Sequence, residues 1–326
     1  MTTAYSGDGI TFPDNSVQAT APKVGMVNRV INGDMRVSQR NGEASLTFTG
    51  SLYTLDRWKL QTSTGGAVQK ITSTIPEFAK SFKYTSNASN SFLQMGQAIE
   101  YLNCYDLQNK TVTISFWVKA NNSNAGSTAF KVRTRISAAV DTATIFSAPN
   151  TDTAVTITTT ATKYTVTRTL STFGSLSLEF VLGAHVSGDG FEITGVQLEK
   201  GSTATDFEYV DYSRQLIQCQ RYFEKSYNQD VVPGVASFTP GFASSVSSSS
   251  APTQANGCSF KVVKRANPDV VTFNAVTGAS GKTYRVSDGA SVTTTLTNAG
   301  HNGIGYIDVP SSANGYYWHF TATAEL

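Results

Sequence analysis

Two stretches of this chain, residues 112–118 and 176–182, carry an apolar side chain at every second position. In the first stretch, the residues between the apolar positions are Thr, Ser and Trp. This period-two alternation indicates β-strands with one buried and one wet face, as in antiparallel sandwiches. The apolar positions, which we expect to face inward, are Val112, Ile114, Phe116, Val118, Leu176, Leu178, Phe180 and Leu182.

Composition favours the same fold class. Of the 326 residues only 15% are charged, while Thr, Ser, Asn and Gly abound, and this bias favours strands over helices. The formal net charge is +2 and no long run of Lys and Arg occurs, so we expect no nucleic-acid partner. No apolar run approaches the ~18 residues of a membrane span, so we expect no membrane insertion. The sequence predicts an all-β protein.

Residues 196–224 divide the chain, because a strand gives way there to a loop and a short helix. Asp211 or Ser213 can cap that helix, and apolar residues then recur at helical spacing. We predict an N-terminal hairpin in 1–23, a jelly-roll β-sandwich in 24–212, a linker helix in 213–220 and a second, smaller β-sandwich in 221–326. The contacts expected between the last domain and the rest are Leu216, Ile217, Tyr222 and Phe223.

Several local patterns predict strands and turns. Residues 13–15 form a turn signal between the short runs 10–12 and 16–20, which predicts the hairpin. Glycines predict a turn at 64–66, and the Ser-rich stretch 244–257 predicts an exposed loop. The segments predicted as strands of the last domain are 259–265, 269–274 and 316–326.

Three separated motifs resemble one known family. They are residues 32–42 (NGDMRVSQRNG), 53–58 (YTLDRW) and 196–224, which contains VQLEKGSTATDFE and CQRYFE. Together they resemble the β-sandwich module of bacteriophage tail-fibre and receptor-binding proteins. Residues 9–21 (GITFPDNSVQATA) resemble an element of trimeric phage fibres, and the ending 318–326 resembles their C-terminal knob.

The resemblance implies a virion protein that assembles as a homotrimer and contacts other phage tail or capsid proteins through its N-terminus. It also implies that the partner at the other end is host surface polysaccharide. Related carbohydrate-binding modules hold a structural calcium, but here Thr194 and Gly195 stand where acidic ligands would be. We therefore expect no metal or other cofactor, and Asp34 as a turn or cap residue. A purely architectural fibre or decoration protein is the alternative.

Candidate contact residues are aromatic or lie near glycines. Trp117 points to the hydroxyl-rich face of its strand, where it can stack on a sugar or be covered by a loop or neighbouring subunit. Gly300, Gly303 and Gly305 allow a ligand to approach the backbone closely. The remaining candidates for glycan contact, all in the last domain, are Tyr306, Tyr317, His319 and His301.

Catalysis is not expected from this sequence. The three histidines are isolated from one another, and no nucleophile elbow, Walker loop or zinc-protease motif occurs. Trp58 and Trp318 share strand faces with apolar residues and are expected in the core. The cysteines, predicted to be buried thiols, are Cys104, Cys219 and Cys258.

Overall fold

The structure is a computed structural model that describes residues 4–6, 9–11, 17–18, 26–124, 130–142, 146, 150–239, 241–244, 253–310 and 315–326. Nearly every regular element in these ranges is a β-strand, so the all-β prediction is confirmed. The elements are β1 (Ala4–Ser6), β2 (Gly9–Thr11), β3 (Val17–Gln18), β4 (Leu46–Tyr53), β5 (Lys59–Thr72), β6 (Lys80–Ser86), β7 (Leu93–Ile99), β8 (Thr111–Ala120), β9 (Phe130–Ser137), β10 (Asn150–Val155), β11 (Thr162–Thr169), β12 (Ser175–Leu182), β13 (Gly190–Lys200), α1 (Tyr212–Gln220), β14 (Phe223–Lys225), β15 (Phe242–Ser244), β16 (Thr253–Ser259), β17 (Asp269–Asn274), β18 (Lys282–Arg285), β19 (Ser291–Thr293), β20 (Thr295–Gly300), β21 (Gly303–Val309) and β22 (Tyr316–Thr323).

Strands β4 to β13 form a sandwich whose two layers share strand β5. Residues 59–62 of β5 pair with β7, in the layer β10-β9-β12-β7-β5, whereas residues 66–72 pair with β6, in the layer β5-β6-β13-β8-β11. The turn predicted at 64–66 is therefore wrong, because β5 runs through it and bends. Gly65 has φ +115°, and a Cβ on Gly66 would lie 2.3 Å from the Tyr84 ring, so glycines permit the bend.

The sandwich core is built from the alternating positions that the sequence predicts. All eight inward residues of β8 and β12 have no exposed surface. Phe116 and Phe180 contact each other across the layers with ring centroids 4.9 Å apart, and Phe130 contacts Phe191 at 5.2 Å. Trp58 is also fully buried, as expected, and its Nε1 donates a hydrogen bond to the Asn32 carbonyl at 3.0 Å.

Helix α1 follows the sandwich. Its N-cap is Asp211, whose carboxylate accepts hydrogen bonds from the backbone N–H groups of Ser213 and Arg214. Cys219 on this helix packs with Tyr222 into a small apolar cluster. Ile217 was expected in this interface, but it is 53% exposed because it lies on the outer side of the helix.

Strands β14 to β22 form the second, smaller sandwich. Strand β22 is central to a six-stranded sheet, with β14 and β15 along one edge and β17 and β18 along the other. A three-stranded sheet, β16-β21-β20, shares its core, where Trp318 and Phe320 meet Ile304 and Ile307. Trp318 is buried, as predicted.

Two predictions for this region are wrong in part. Of the predicted Ser-rich loop 244–257, residue 244 ends β15 and residues 253–257 belong to β16, while residues 245–252 lie outside the described residues. Residues 260–265 do alternate in burial but pair with no strand in the described chain. Their N–H groups instead donate to groups outside any strand ladder. The Lys261 N–H donates to the Glu224 carboxylate at 2.9 Å, and the Lys264 N–H donates to the His301 carbonyl at 2.8 Å.

The last three residues leave the sheet and bind the first sandwich, although the sequence predicts a strand to residue 326. The carboxylate of Glu325 accepts hydrogen bonds from the guanidinium groups of Arg57 and Arg40. The hydroxyl of Tyr53 donates to the Leu326 carbonyl at 2.9 Å. These contacts join the two sandwiches, and we call this region the junction.

The motifs that carry the family resemblance meet at the junction. The guanidinium of Arg57 lies 3.6 Å from the centroid of the Tyr222 ring, and that of Arg40 lies 3.8 Å from the Phe223 ring. The Gln39 amide donates to the Phe223 carbonyl at 2.8 Å. Segments 32–42, 53–58 and 219–224 are therefore in contact, and their shared role in this fold is to hold the two sandwiches together.

The N-terminal strands pair as predicted. Strand β2 is antiparallel to β3, and β1 adds a third strand on the other side of β2. All three cysteines are unpaired thiols, and Cys104 and Cys219 are buried as expected, whereas Cys258 is half-buried. In the part of the chain that the structure describes, the helices lack the length and apolarity that crossing a bilayer requires.

Candidate functional site

The structure separates the residues predicted to contact glycan. Tyr306 and His301 belong to the β20–β21 hairpin of the three-stranded sheet, whereas Tyr317 lies on β22 in the six-stranded sheet. Trp117 lies half-buried on the outer face of β8, beside Lys163 of β11. The four candidates predicted in the last domain therefore do not form one surface.

His319 is not a contact residue, which corrects the prediction. It has no exposed surface, and its ring stacks on the Tyr227 ring with centroids 3.8 Å apart. Its Nε2 lies 2.8 Å from the Ser237 carbonyl and must donate there, so Nδ1, 2.9 Å from the Ser226 hydroxyl, accepts. Burial lowers the pKa of His319 and so favours this neutral imidazole. His319 therefore anchors residues 226–239, which we call the platform loop.

The platform loop completes an exposed aromatic surface. Tyr284 and Tyr317 are direct cross-strand partners, and their rings lie nearly parallel at 17° with centroids 6.3 Å apart. The ring of Phe238 stands edge-on to both, at 6.4 Å from Tyr284 and 5.9 Å from Tyr317. Phe238 is 58% exposed, and the two tyrosines are partly exposed. We call these three residues the aromatic platform.

Local sequence explains why these rings face outward. Tyr316 and Trp318 of β22 fill the core, so the alternation of the strand turns Tyr317 to the opposite face. Thr283 of β18 is buried, and Tyr284 next to it faces outward by the same rule. Tyr317 is among the residues that the sequence predicts for glycan contact, whereas Tyr284 and Phe238 are not. The alternation of β18 could have revealed Tyr284, but Phe238 depends on how the platform loop folds back.

A polar pair lies beside the platform. Lys282 lies on the same strand face as Tyr284 and donates to the Thr293 hydroxyl at 3.3 Å. Arg285 is the cross-strand partner of the core residue Tyr316, so it lies on the opposite face of β18, where it forms an ion pair with Asp288. The surface therefore combines flat apolar rings with hydrogen-bonding groups at its border.

A buried lysine holds the base of the platform loop. Lys225 is 1% exposed, and its ammonium group donates to the carbonyls of Gln229 at 3.1 Å and Val231 at 2.7 Å. Burial lowers its pKa to about 8, and the carboxylates of Asp56 and Asp230 oppose this only in part. The folded protein thus keeps a costly buried cation at neutral pH in order to bind two loop carbonyls.

We expect the stability difference between wild type and Lys225→Met to depend on pH. The folded state releases the Lys225 proton near pH 8, whereas an unfolded lysine releases it near pH 10.4. Between these values the unfolded state binds more protons, so the contribution of Lys225 to stability rises with pH. From pH 7 to pH 10 wild type should gain about 2 kcal/mol over the variant in urea unfolding.

The matched control is Lys83→Met, since Lys83 is exposed on the sandwich. Its unfolding free energy relative to wild type should show no such slope. A flat difference for Lys225→Met across this pH range would show that Lys225 is not the buried cation described here.

The outer face of the first sandwich layer is polar but covered. Glu179 of β12 has no exposed surface and binds Arg135 at 2.7 Å. The backbone N–H of Phe146 donates to the same carboxylate at 3.0 Å, and that of Thr142 donates to the Ser175 hydroxyl at 2.9 Å. The described residues of the connection between β9 and β10, 138–142 and 146, therefore cover part of this face.

A shallow groove of ≈ 550 Å³ follows the glycine-rich hairpin of β20 and β21. His301, Gly303 and Gly305 line it, so the predicted close approach to backbone is sterically possible there. Tyr306 is half-exposed on β21 next to Gly305. Apart from His301, the described residues that line this groove carry no aromatic ring.

The described residues contain no group of three or more His, Cys, Asp or Glu side chains placed to hold a metal ion. Asp34 lies in the turn that follows Asn32 and forms an ion pair with Arg36.

No protein-family model matches this chain, and no curated protein matches it. Solved structures do resemble it. The enzymatically active domain of tailspike protein 4 from bacteriophage CBA120 is 14% identical, with a TM-score of 0.34, over 54% of this chain and 22% of that one. The chain thus spans about a fifth of that protein's length.

Carbohydrate-binding modules resemble it to a similar degree. TmCBM61, solved in complex with β-1,4-galactotriose, is 12% identical with a TM-score of 0.34 over 53% of this chain and 99% of the module. The CBM22-1 xylan-binding domain of Paenibacillus barcinonensis Xyn10C is 14% identical with a TM-score of 0.31 over 50% of this chain and 99% of the domain. At these identities and TM-scores the similarities do not assign a function to this chain.

Proposed function

We propose that the chain is a non-enzymatic phage virion protein, a tail fibre or receptor-binding protein, that attaches the particle to host surface glycan through the aromatic platform. The observation that carries the proposal is the exposed cluster of Phe238, Tyr284 and Tyr317. The C–H faces of a pyranose ring are apolar and its rim is polar. Flat rings beside Lys282 and the Thr293 hydroxyl match both properties.

The assembly expected from the sequence motifs fits this role. Stacking on one or two rings gives only weak binding per copy, and a homotrimer would present three platforms to one glycan surface. The N-terminal strands would then contact tail or capsid proteins, which places the platform at the far end. The architectural alternative differs in one respect, because it predicts no saturable glycan binding by the platform.

Glycan-array binding by the purified full chain tests the proposal. Tyr284→Ala and Tyr317→Ala should each weaken binding to the best glycan about tenfold, because each removes one stacking surface worth roughly 1 to 1.5 kcal/mol. Adsorption of particles to host cells should fall further, since the loss is compounded over several copies.

Two variants serve as controls. Tyr105→Ala removes an aromatic ring that is 55% exposed on the first sandwich, and Trp117→Ala removes the ring proposed there from sequence. Both should bind like wild type. Loss of binding in Trp117→Ala alone would move the contact surface to the sandwich, and absence of saturable binding in wild type would favour the architectural role.

A further inference from the structure

The three rings of the aromatic platform do not share one plane. The rings of Tyr284 and Tyr317 are nearly parallel, at 17°, whereas the ring plane of Phe238 is turned 82° from the first and 79° from the second. No two of the three ring centroids are more than 6.4 Å apart. The platform therefore has two apolar planes that meet at almost a right angle, and we call the place where they meet the corner.

Hydrogen bonds fix the backbone on both sides of Phe238. The Ser237 carbonyl accepts from His319 Nε2 at 2.8 Å, and the Ser237 N–H donates to the Ala275 carbonyl at 2.8 Å. The Phe238 carbonyl accepts from the Gly241 N–H at 2.9 Å. Because the platform loop is anchored immediately before and after this ring, the corner is formed by the protein alone and a ligand does not have to order it.

The corner restricts which sugars fit the platform. A pyranose that lies flat on one plane turns part of its rim toward the other plane. A hydroxyl group at that part of the rim would lose water and meet an aromatic ring that offers it no hydrogen-bond partner of its own kind. A methyl group in the same place would bury apolar surface instead. The group that the rim presents to Phe238 therefore decides the affinity.

The hydrogen-bonding groups beside the platform belong to a different segment from Phe238. Lys282 and Thr293 face each other on the β18–β19 hairpin, and Lys282 lies two positions before Tyr284. Phe238 comes from the platform loop, and its ring contacts the two tyrosines. The polar part of a sugar rim can thus bond at the hairpin while an apolar group faces Phe238.

We propose that the platform selects sugars that carry a methyl group on the rim, either a 6-deoxyhexose or an N-acetylhexosamine, with the methyl group in the corner against Phe238. This inference rests on the proposed function, because it names the class of sugar that the same surface binds. Both sugars share the chemistry that the corner requires, which is a methyl group at the edge of an otherwise polar ring.

Saturation-transfer NMR titration of the full chain with two matched pairs of free sugars tests this. D-fucose lacks one hydroxyl group of D-galactose, and N-acetylglucosamine carries an acetamido group where glucose carries a hydroxyl. At least one methyl-bearing sugar should bind about fourfold more tightly than its counterpart, because burial of one methyl group gives about that factor. The pair that shows the preference identifies which of the two sugar types the corner takes.

Three variants locate the preference. Phe238→Ala removes one plane of the corner and should bind both members of the pair equally. It should fold, since Phe238 is 58% exposed. Phe238→Leu keeps an apolar side chain and should retain part of the preference. The matched control, Tyr105→Ala, removes a ring that is 55% exposed on the first sandwich and should keep the full preference.

Two outcomes would overturn this inference and leave the proposed function standing. One is sugar binding by wild type with equal affinities within both pairs. The other is a preference that survives in Phe238→Ala, because the methyl group would then be recognised elsewhere. The best glycan of the array should also contain a methyl-bearing sugar, and a best glycan without one contradicts the inference whatever the free sugars show. If wild type binds no sugar in either assay, the proposed function itself fails.

Discussion

Glu325→Ala is expected to lower the free energy of unfolding by about 3 to 5 kcal/mol. Glu325 has a side chain 5% exposed and pairs with Arg57, whose side chain is 1% exposed. It also pairs with Arg40 at 3.0 Å. Removing the carboxylate leaves the Arg57 charge buried without its counterion, and that penalty is larger than the net worth of the pair itself. Urea unfolding followed by tryptophan fluorescence measures the change.

Asp288→Ala is the matched control, because Asp288 and Arg285 form an ion pair at the surface of the second sandwich. That variant should unfold like wild type, since exposed pairs contribute little. The double variant Arg57→Met, Glu325→Leu should recover part of the loss by removing both charges. If Glu325→Ala unfolds like Asp288→Ala, the C-terminal residues do not stabilise the junction.

Much of the fold was predictable from alternation alone. The inner residues of β8 and β12 follow period two without exception, because each strand has one face in the core and one in water or against a covering loop. Tyr317 was found in the same way. Where alternation is clean, the direction of a side chain follows from its position in the strand.

The remaining positions depend on contacts between segments far apart in sequence. Residues 260–265 alternate like a strand, but their N–H groups bond to Glu224 and to the carbonyls of a turn. His319 is aromatic and on an outward face, yet the platform loop covers it. Phe238 shows no periodic signal, because it reaches Tyr317 only after the loop folds back. These contacts carry no signature in a single sequence.

The conspicuous motifs turned out to describe the junction and not the contact surface. The residues of segments 32–42, 53–58 and 219–224 bond to one another and to the C-terminal residues. A signature of this kind indicates how two sandwiches are held together. The proposed contact residues lie outside these motifs, so the motifs describe how the chain is built and carry no information on a ligand.

Lys264→Met is expected to cost a similar 3 to 5 kcal/mol, for a related reason. Lys264 and Glu224 have side chains 0% and 1% exposed, and Nζ lies 2.6 Å from the Glu224 carboxylate. The ammonium group also donates to the carbonyls of Gln220 at 2.6 Å and Val262 at 2.7 Å. Burial lowers the pKa of Lys264, and the hydrogen bond and charge of Glu224 oppose that shift.

A double-mutant cycle with Glu224→Gln separates the pair from its surroundings. Lys264→Met leaves the Glu224 charge buried with only backbone donors from Lys261 and Val262. The double variant should therefore lose less free energy of unfolding than the two single variants together, by about 1 kcal/mol. Lys261→Met, an exposed neighbour, should unfold like wild type. Strict additivity would mean that the two charges do not stabilise each other, and that residues 260–265 are held in place by their backbone hydrogen bonds alone.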